Sequence, residues 1–199
     1  ARDHSVVPVW REVLADFTTV IGTRLKPSAS TEAFATASDA ARESFSVSSE
    51  DLASILVHFD GGAKGALSVG QVCAGHKNDL WFEVSGRQAS LRWLQERQNE
   101  LWIGRRDGAN GALLKDPSLL RPPARAYAHL PGGHQEAWAD AFCNVMRDVY
   151  AFIAARKAPT DPRPPAFATF EDGYQSARIV DAILASHTRG SVWTKAESA

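Results

Sequence analysis

The sequence predicts an α+β chain: a mostly antiparallel open β-sheet with helices packed on one face. Residues 51–104 hold five short β-type runs separated by turn residues. Helical spacing enters only after Pro131-Gly132-Gly133, and strands therefore precede helices. The 199 residues are 44% hydrophobic, enough for a core in a single large domain spanning 1–199.

Residues 1–12 read as a loose lead-in broken by Pro8. Val13–Ile21 alternates Val13, Ala15 and Phe17 against Leu14, Asp16 and Thr18, the period of a half-buried strand. Ser28–Ser49 is rich in Ser, Ala and Thr and is expected to be an exposed excursion. Asp51–Phe59 is a strand, and Asp60-Gly61-Gly62-Ala63 is a hairpin signal, because glycine takes the φ > 0 positions such turns require. Lys64–Ala74 returns beside it, Gly75–Asp79 is a polar bend, and Leu80–Ser85 is a third strand. Gly86-Arg87-Gln88 reverses the chain into Ala89–Gln95, and Leu101–Ile103 follows. Short connections predict a continuous antiparallel meander.

The alternation sorts its faces. Leu80, Phe82 and Val84 point one way and Trp81, Glu83 and Ser85 the other; in the preceding strand Leu67, Val69 and Cys73 oppose Ala66, Ser68, Gly70 and Val72. One face is apolar enough to be covered by helices. The mixed face suits a ligand or a second subunit.

Arg105–Leu130, with Pro117, Pro122-Pro123 and two glycines, is the least regular stretch. Trp138, Phe142, Val145, Val149 and Phe152 then recur at helical spacing, predicting a helix over 135–156, about 33 Å long. Pro159, Pro162, Pro164 and Pro165 end it and begin a stiff linker. A second helix starts at Thr169, which forms a capping-box pattern with Asp172; Tyr174, Ala177, Val180 and Leu184 make its apolar stripe. Ser191–Thr194 is expected to add a short strand.

Composition limits the partners. A net charge of −1 gives no electrostatic reason to expect nucleic acid or an anionic membrane. No run approaches the ~18–20 apolar residues of a membrane span, and the first residues lack a signal-peptide plan. A cytoplasmic protein is expected, with Cys73 and Cys143 as small buried hydrophobes.

Three polar clusters are candidates for chemistry. His76, Lys77 and Asn78 lie in the Gly75–Asp79 bend, where they could bind a polyol or phosphate or simply form a solvated turn. Glu96 sits in a polar block, residues 95–100, able to orient hydroxyls or to serve as an ordinary loop. His134 and Glu136 follow two glycines at the expected helix start, a place for a ligand, an acid–base group or a cap. His58, His129 and His187 have no metal-ligand companion at suitable spacing, and G-x-S-x-G, HExxH and CxxC are not found, so no metal site is expected.

Together, residues 65–86 (GALSVGQVCAGHKNDLWFEVSG), 94–104 (LQERQNELWIG), 130–142 (LPGGHQEAWADAF) and 167–186 (FATFEDGYQSARIVDAILAS) resemble the C-terminal domain of the Gfo/Idh/MocA oxidoreductases, the group of glucose–fructose oxidoreductase and inositol 2-dehydrogenase. The likeness runs from about Val13 to Trp193. It implies a two-domain parent in which a Rossmann domain binds NAD or NADP and the second domain lines a sugar or polyol site and builds a homo-oligomer through its open sheet face. It also implies a substrate side that includes His134, with Gln71, His76, Lys77, Asn78 and Glu96.

Several family features are missing. The chain has no G-x-G-x-x-G after a strand. Arg24-Leu25-Lys26-Pro27 does not supply the family's E-K-P lysine, and Asp3-His4 does not match its D-x-G-x-H histidine. The chain therefore reads as a fragment starting after the catalytic machinery, with no catalytic residue and no cofactor of its own, and NAD(P) is not expected to bind it. The function implied is the substrate-binding and oligomerisation domain of an NAD(P)-dependent sugar or polyol dehydrogenase. The alternative is a non-catalytic dimerisation scaffold. An independent enzyme using His134 and Glu136 as acid and base is the least supported reading.

Overall fold

The computed structural model describes residues 9–27, 42–156 and 165–196. The chain divides into two compact units, one formed by Gly75–Phe167 and the other by the segments before and after it. The architecture is α+β, with three antiparallel sheets and three helices among the described residues.

In the flanking unit, β1 (Trp10–Thr18), β4 (Leu52–Phe59), β5 (Lys64–Gly70) and β10 (Thr194–Lys195) form a sheet in the order β10-β1-β4-β5. β1 and β4 pair Val13 with Val57, Ala15 with Ile55 and Phe17 with Ala53, so one face is apolar across the ladder. α3 (Phe170–Thr188) packs on that face. Val13, Ala15, Ile55, Val57, Ala182 and Ala196 make the buried core. Fully buried Ser186 joins three segments: its hydroxyl accepts from the Ala15 amide at 2.9 Å and donates to the Val192 carbonyl at 2.7 Å. The expected capping box is formed, with Asp172 Oδ2 accepting from the Thr169 amide at 2.6 Å.

β2 (Thr23–Pro27) and β3 (Arg42–Ser46) form a separate hairpin. Buried Asp51 anchors its base, accepting from the Val20 amide at 2.7 Å, the Ile21 amide at 3.0 Å and Arg24 at 3.1 Å. The Val20 amide lowers the Asp51 carboxyl most; burial opposes this, and the Ile21 amide and Arg24 complete a net fall below its ordinary value.

In the central unit, β6 (Trp81–Ser85), β7 (Ala89–Leu94), β8 (Glu100–Arg105) and β9 (Gly111–Leu114) form a sequential antiparallel meander. Phe82 pairs with Trp93, Val84 with Leu91, Leu91 with Ile103 and Leu101 with Leu113, giving one apolar face. α1 (Pro122–Arg125) is a single turn, and α2 (Trp138–Arg156) follows. Phe152 meets Phe167 edge-on at 5.5 Å between ring centroids.

Several expectations need correction. The strand expected from Val13 begins at Trp10, and β3 and β9 lie inside stretches expected to be irregular. Hydrogen bonding divides the meander over 51–104 between two sheets, because residues 71–80 form bends and turns, with Gly75 at φ 88°. The apolar face of β6 is open: Phe82 is 53% and Val84 63% exposed. The α3 stripe of Tyr174, Ala177, Val180 and Leu184 faces outward, and Ala182 and Ser186 are buried instead. Cys73 and Cys143 are free and exposed rather than buried. The proline linker lies outside the described residues, apart from Pro165.

Candidate functional site

The β7–β8 connection is a 3₁₀ turn, Gln95–Arg97, followed by Asn99 at the head of β8. Asn99 grips the segment before α2. Its Oδ1 accepts from the Glu136 amide at 3.1 Å, while Nδ2 donates to the Glu136 carbonyl and to Gln135 Oε1, both at 2.8 Å. Lys115, just beyond β9, donates to Glu136 Oε2 at 2.6 Å and to the Leu130 carbonyl at 3.0 Å. Glu136 Oε1 accepts from the His129 amide at 2.6 Å and the Leu130 amide at 3.2 Å. Burial raises the Glu136 carboxyl, but Lys115 and the two amides outweigh it, leaving the group below its ordinary value.

This knot fixes the loop that carries His134. The Pro131 carbonyl accepts from the His134 amide at 3.1 Å, and Gly133, the third residue of that turn, sits at φ 84°, a conformation that favours glycine. Gly132 is needed for a different reason: a Cβ there would lie 2.7 Å from Asp116 Oδ2. The backbone approach signalled by the two glycines is thus toward Asp116.

A second polar set follows. Asn144 donates through Nδ2 to the Tyr127 carbonyl at 3.1 Å, which orients its amide. Its Oδ1 lies 2.7 Å from His129 Nε2, and Arg147 Nη1 lies 3.3 Å from the same ring nitrogen. Tyr127 donates to Asp148 at 2.9 Å; that bond, followed by burial, raises the phenol above its ordinary value.

Glu96 and His134 line one polar pocket of about 180 Å³, together with Asn99, Lys115 and Gln135. Among the described residues, neither the Glu96 carboxylate nor the His134 imidazole has a hydrogen-bond partner, so both are available to a solute. Asn78 lines a larger cavity of about 960 Å³ with Trp93, Tyr127, Trp138 and Asn144. Aromatic side chains with a few amides among them are a common lining for a small-molecule pocket. Asn99, Lys115 and Glu136 border this cavity too.

The other expected site residues are less organised. His76 Nδ1 lies 2.7 Å from Asp79 Oδ2, which ties it to its own bend. Lys77 is exposed. Gln71 belongs to the flanking unit, where its amide donates to the Asp51 carbonyl at 2.8 Å. His134 precedes α2 by four residues rather than standing at its first turn, because the helix begins at Trp138. Glu136 is occupied by three donors and is not a free base. Among the described residues, no group of three His, Cys, Asp or Glu could hold a metal, and no helix is long and apolar enough to cross a membrane.

Residues 16–195 match the model of the Gfo/Idh/MocA oxidoreductase family, C-terminal alpha/beta domain. The chain belongs to that family. An uncharacterized oxidoreductase of Bacillus subtilis, YfiI, is 24% identical over 148 residues, covering 73% of this chain and 38% of that protein. An oxidoreductase from Sinorhizobium meliloti aligns at TM-score 0.76 and 27% identity, over 94% of this chain and 47% of that one. An inositol dehydrogenase homolog from Azotobacter vinelandii, complexed with NADH and myo-inositol, aligns at TM-score 0.73 over 95% of this chain and 45% of that one; its 20% identity shows a shared fold. This chain thus spans less than half the length of each of these proteins.

Proposed function

We propose that this chain is the substrate-binding and oligomerisation domain of an NAD(P)-dependent sugar or polyol oxidoreductase and is inactive alone. The reading is carried by one observation: Glu96 and His134, both without hydrogen-bond partners among the described residues, line one pocket, Glu96 from the β7–β8 turn and His134 from the loop clamped by the Asn99–Lys115–Glu136 knot. A carboxylate and an imidazole can each bind a hydroxyl, and holding a carbinol in one orientation lowers the entropic part of a hydride-transfer barrier. Asn78, at the rim of the neighbouring cavity, adds an amide donor and acceptor. A nicotinamide would accept or return the hydride. Among the described residues, no glycine-rich turn leads directly from a strand into a helix, so a dinucleotide cradle of that kind does not fit here. In this reading the residues of the chain bind and orient, and the acid–base pair comes from elsewhere in the parent.

Self-association has its own support. Leu80, Phe82, Val84, Leu91 and Leu113 are exposed on the apolar face of the β6–β9 sheet, the kind of surface that a second copy covers. Both roles are compatible. Calorimetric titration of the chain with myo-inositol tests the first: weak saturable binding is expected, and His134→Ala should weaken it. Unchanged affinity in His134→Ala would refute this assignment of the pocket. Light scattering tests the second, and a monomer at all concentrations would refute it.

A further inference from the structure

At the opposite end of the β6–β9 sheet from the His134 pocket, the β6–β7 and β8–β9 turns enclose an open cleft of about 390 Å³. β7 and β8 separate the two places by their full length, roughly 17–20 Å at ~3.3 Å per residue. Arg87, Arg105 and Arg106 all line the cleft, with Gln88, Ser90 and Asn110 as neutral polar neighbours.

We propose that this cleft binds a phosphate-type oxyanion, either free phosphate or the phosphate group of a small monoester. Among the described residues, none of the three guanidiniums has a carboxylate within 4.0 Å, and Asp107 in the same turn pairs with none of them. Arg11, Arg24, Arg97 and Arg147 each have a carboxylate partner, whereas Arg92, Arg121, Arg125 and Arg189 have none among the described residues; the cleft differs in gathering three arginines around one space. Three cations lining one space with no carboxylate paired to any of them repel one another, and an oxyanion between them reduces that repulsion.

Two of the three are also held in place. Arg106 Nε donates to the Arg87 carbonyl at 2.8 Å, and its amide donates to the Gln88 carbonyl at 3.0 Å, which ties one turn to the other. Arg105 Nη1 donates to the Ala109 carbonyl at 3.0 Å, and the Arg105 amide donates to Asn110 Oδ1 at 2.9 Å. The side-chain bonds use one N–H of each of these guanidiniums and leave the others free. Planar, anchored guanidiniums lose little freedom when they bind an oxyanion. Three positive charges suit a dianion better than a single carboxylate, and three arginines on a chain of net charge −1 are too few to track nucleic acid.

The test is calorimetric titration of the full chain at low ionic strength with inorganic phosphate and, separately, with myo-inositol monophosphate. Arg87→Gln/Arg106→Gln is the variant, and both side chains are exposed, so circular dichroism should report an unchanged fold. Saturable phosphate binding, at least about tenfold weaker in the variant, is expected from the loss of charge-assisted hydrogen bonds. Equal affinity for the two ligands would identify free phosphate as the occupant, and tighter ester binding would identify a phosphomonoester; either supports the proposal. Binding that the variant leaves unchanged, binding that equimolar chloride abolishes, or no saturable heat at millimolar phosphate would overturn it. Polyol binding at the His134 pocket is measured with unphosphorylated myo-inositol, so failure of one site is distinguishable from failure of the other.

Discussion

Replacing Lys115 with methionine removes the charge opposite Glu136 but keeps most of the side-chain volume. Both partners are largely buried, at 13% and 8% side-chain exposure, so water cannot easily replace the lost ammonium. Glu136 would keep the His129 and Leu130 amides. The cost is therefore one charge-assisted hydrogen bond plus a less well-compensated carboxylate, about 2–4 kcal/mol, a little under the ~3–5 kcal/mol of a fully orphaned buried charge. For a chain of this size each kcal/mol moves the melting midpoint by about 2–4 °C. Thermal unfolding should thus show a midpoint roughly 4–16 °C lower, and urea unfolding a correspondingly lower midpoint. The double variant Lys115→Met/Glu136→Gln should be less damaging than the sum of the single changes, with a coupling above about 1 kcal/mol. The pH dependence follows the depressed Glu136 carboxyl. Its folded value lies below its unfolded one, so its stabilisation is complete above about pH 4.5 and is lost as pH falls through the folded value. Lys115→Met should shrink that acid limb. A variant within about 0.5 kcal/mol of the parent, or strictly additive single changes, would refute the reasoning.

Other expected outcomes are simpler to measure. Ser186→Ala takes the hydroxyl acceptor from the Ala15 amide and leaves the Val192 carbonyl with the Thr194 hydroxyl as its side-chain donor, and should cost about 1–3 kcal/mol in urea unfolding. Thr169→Ala removes an N-cap and should cost about 1 kcal/mol. Gly133→Ala forces a side chain into φ 84° and should both destabilise the chain by about 1–2 kcal/mol and weaken polyol binding by displacing His134.

The strands were legible because the alternation in Val13–Phe17 and Leu80–Ser85 reflects the observed register. The α3 cap was legible because Thr169 and Asp172 interact within one turn. The α3 buried face was not. Spacing picks out large apolar residues such as Tyr174 and Leu184, whereas the helix buries small ones, Ala182 and Ser186, against its sheet. The site divides in the same way. Gly132 and Gly133 announced a special backbone and His134 beside it, but Asn99 and Lys115 carry no periodic or motif signal. Their roles arise when β8 and β9 bring them to Glu136 from distant parts of the sequence. Glu136 was singled out as a possible acid or base, and the same long-range contacts make it a structural anchor.

The central claim is that the pocket of Glu96 and His134 receives the hydroxyls of a polyol. Backbone amide NMR of the full chain titrated with myo-inositol addresses it directly. The account predicts saturable shifts concentrated at Glu96, Asn99, Gly133, His134 and Gln135. Shifts spread evenly over the surface, or confined to the arginine cleft at the other end of the sheet, would contradict it.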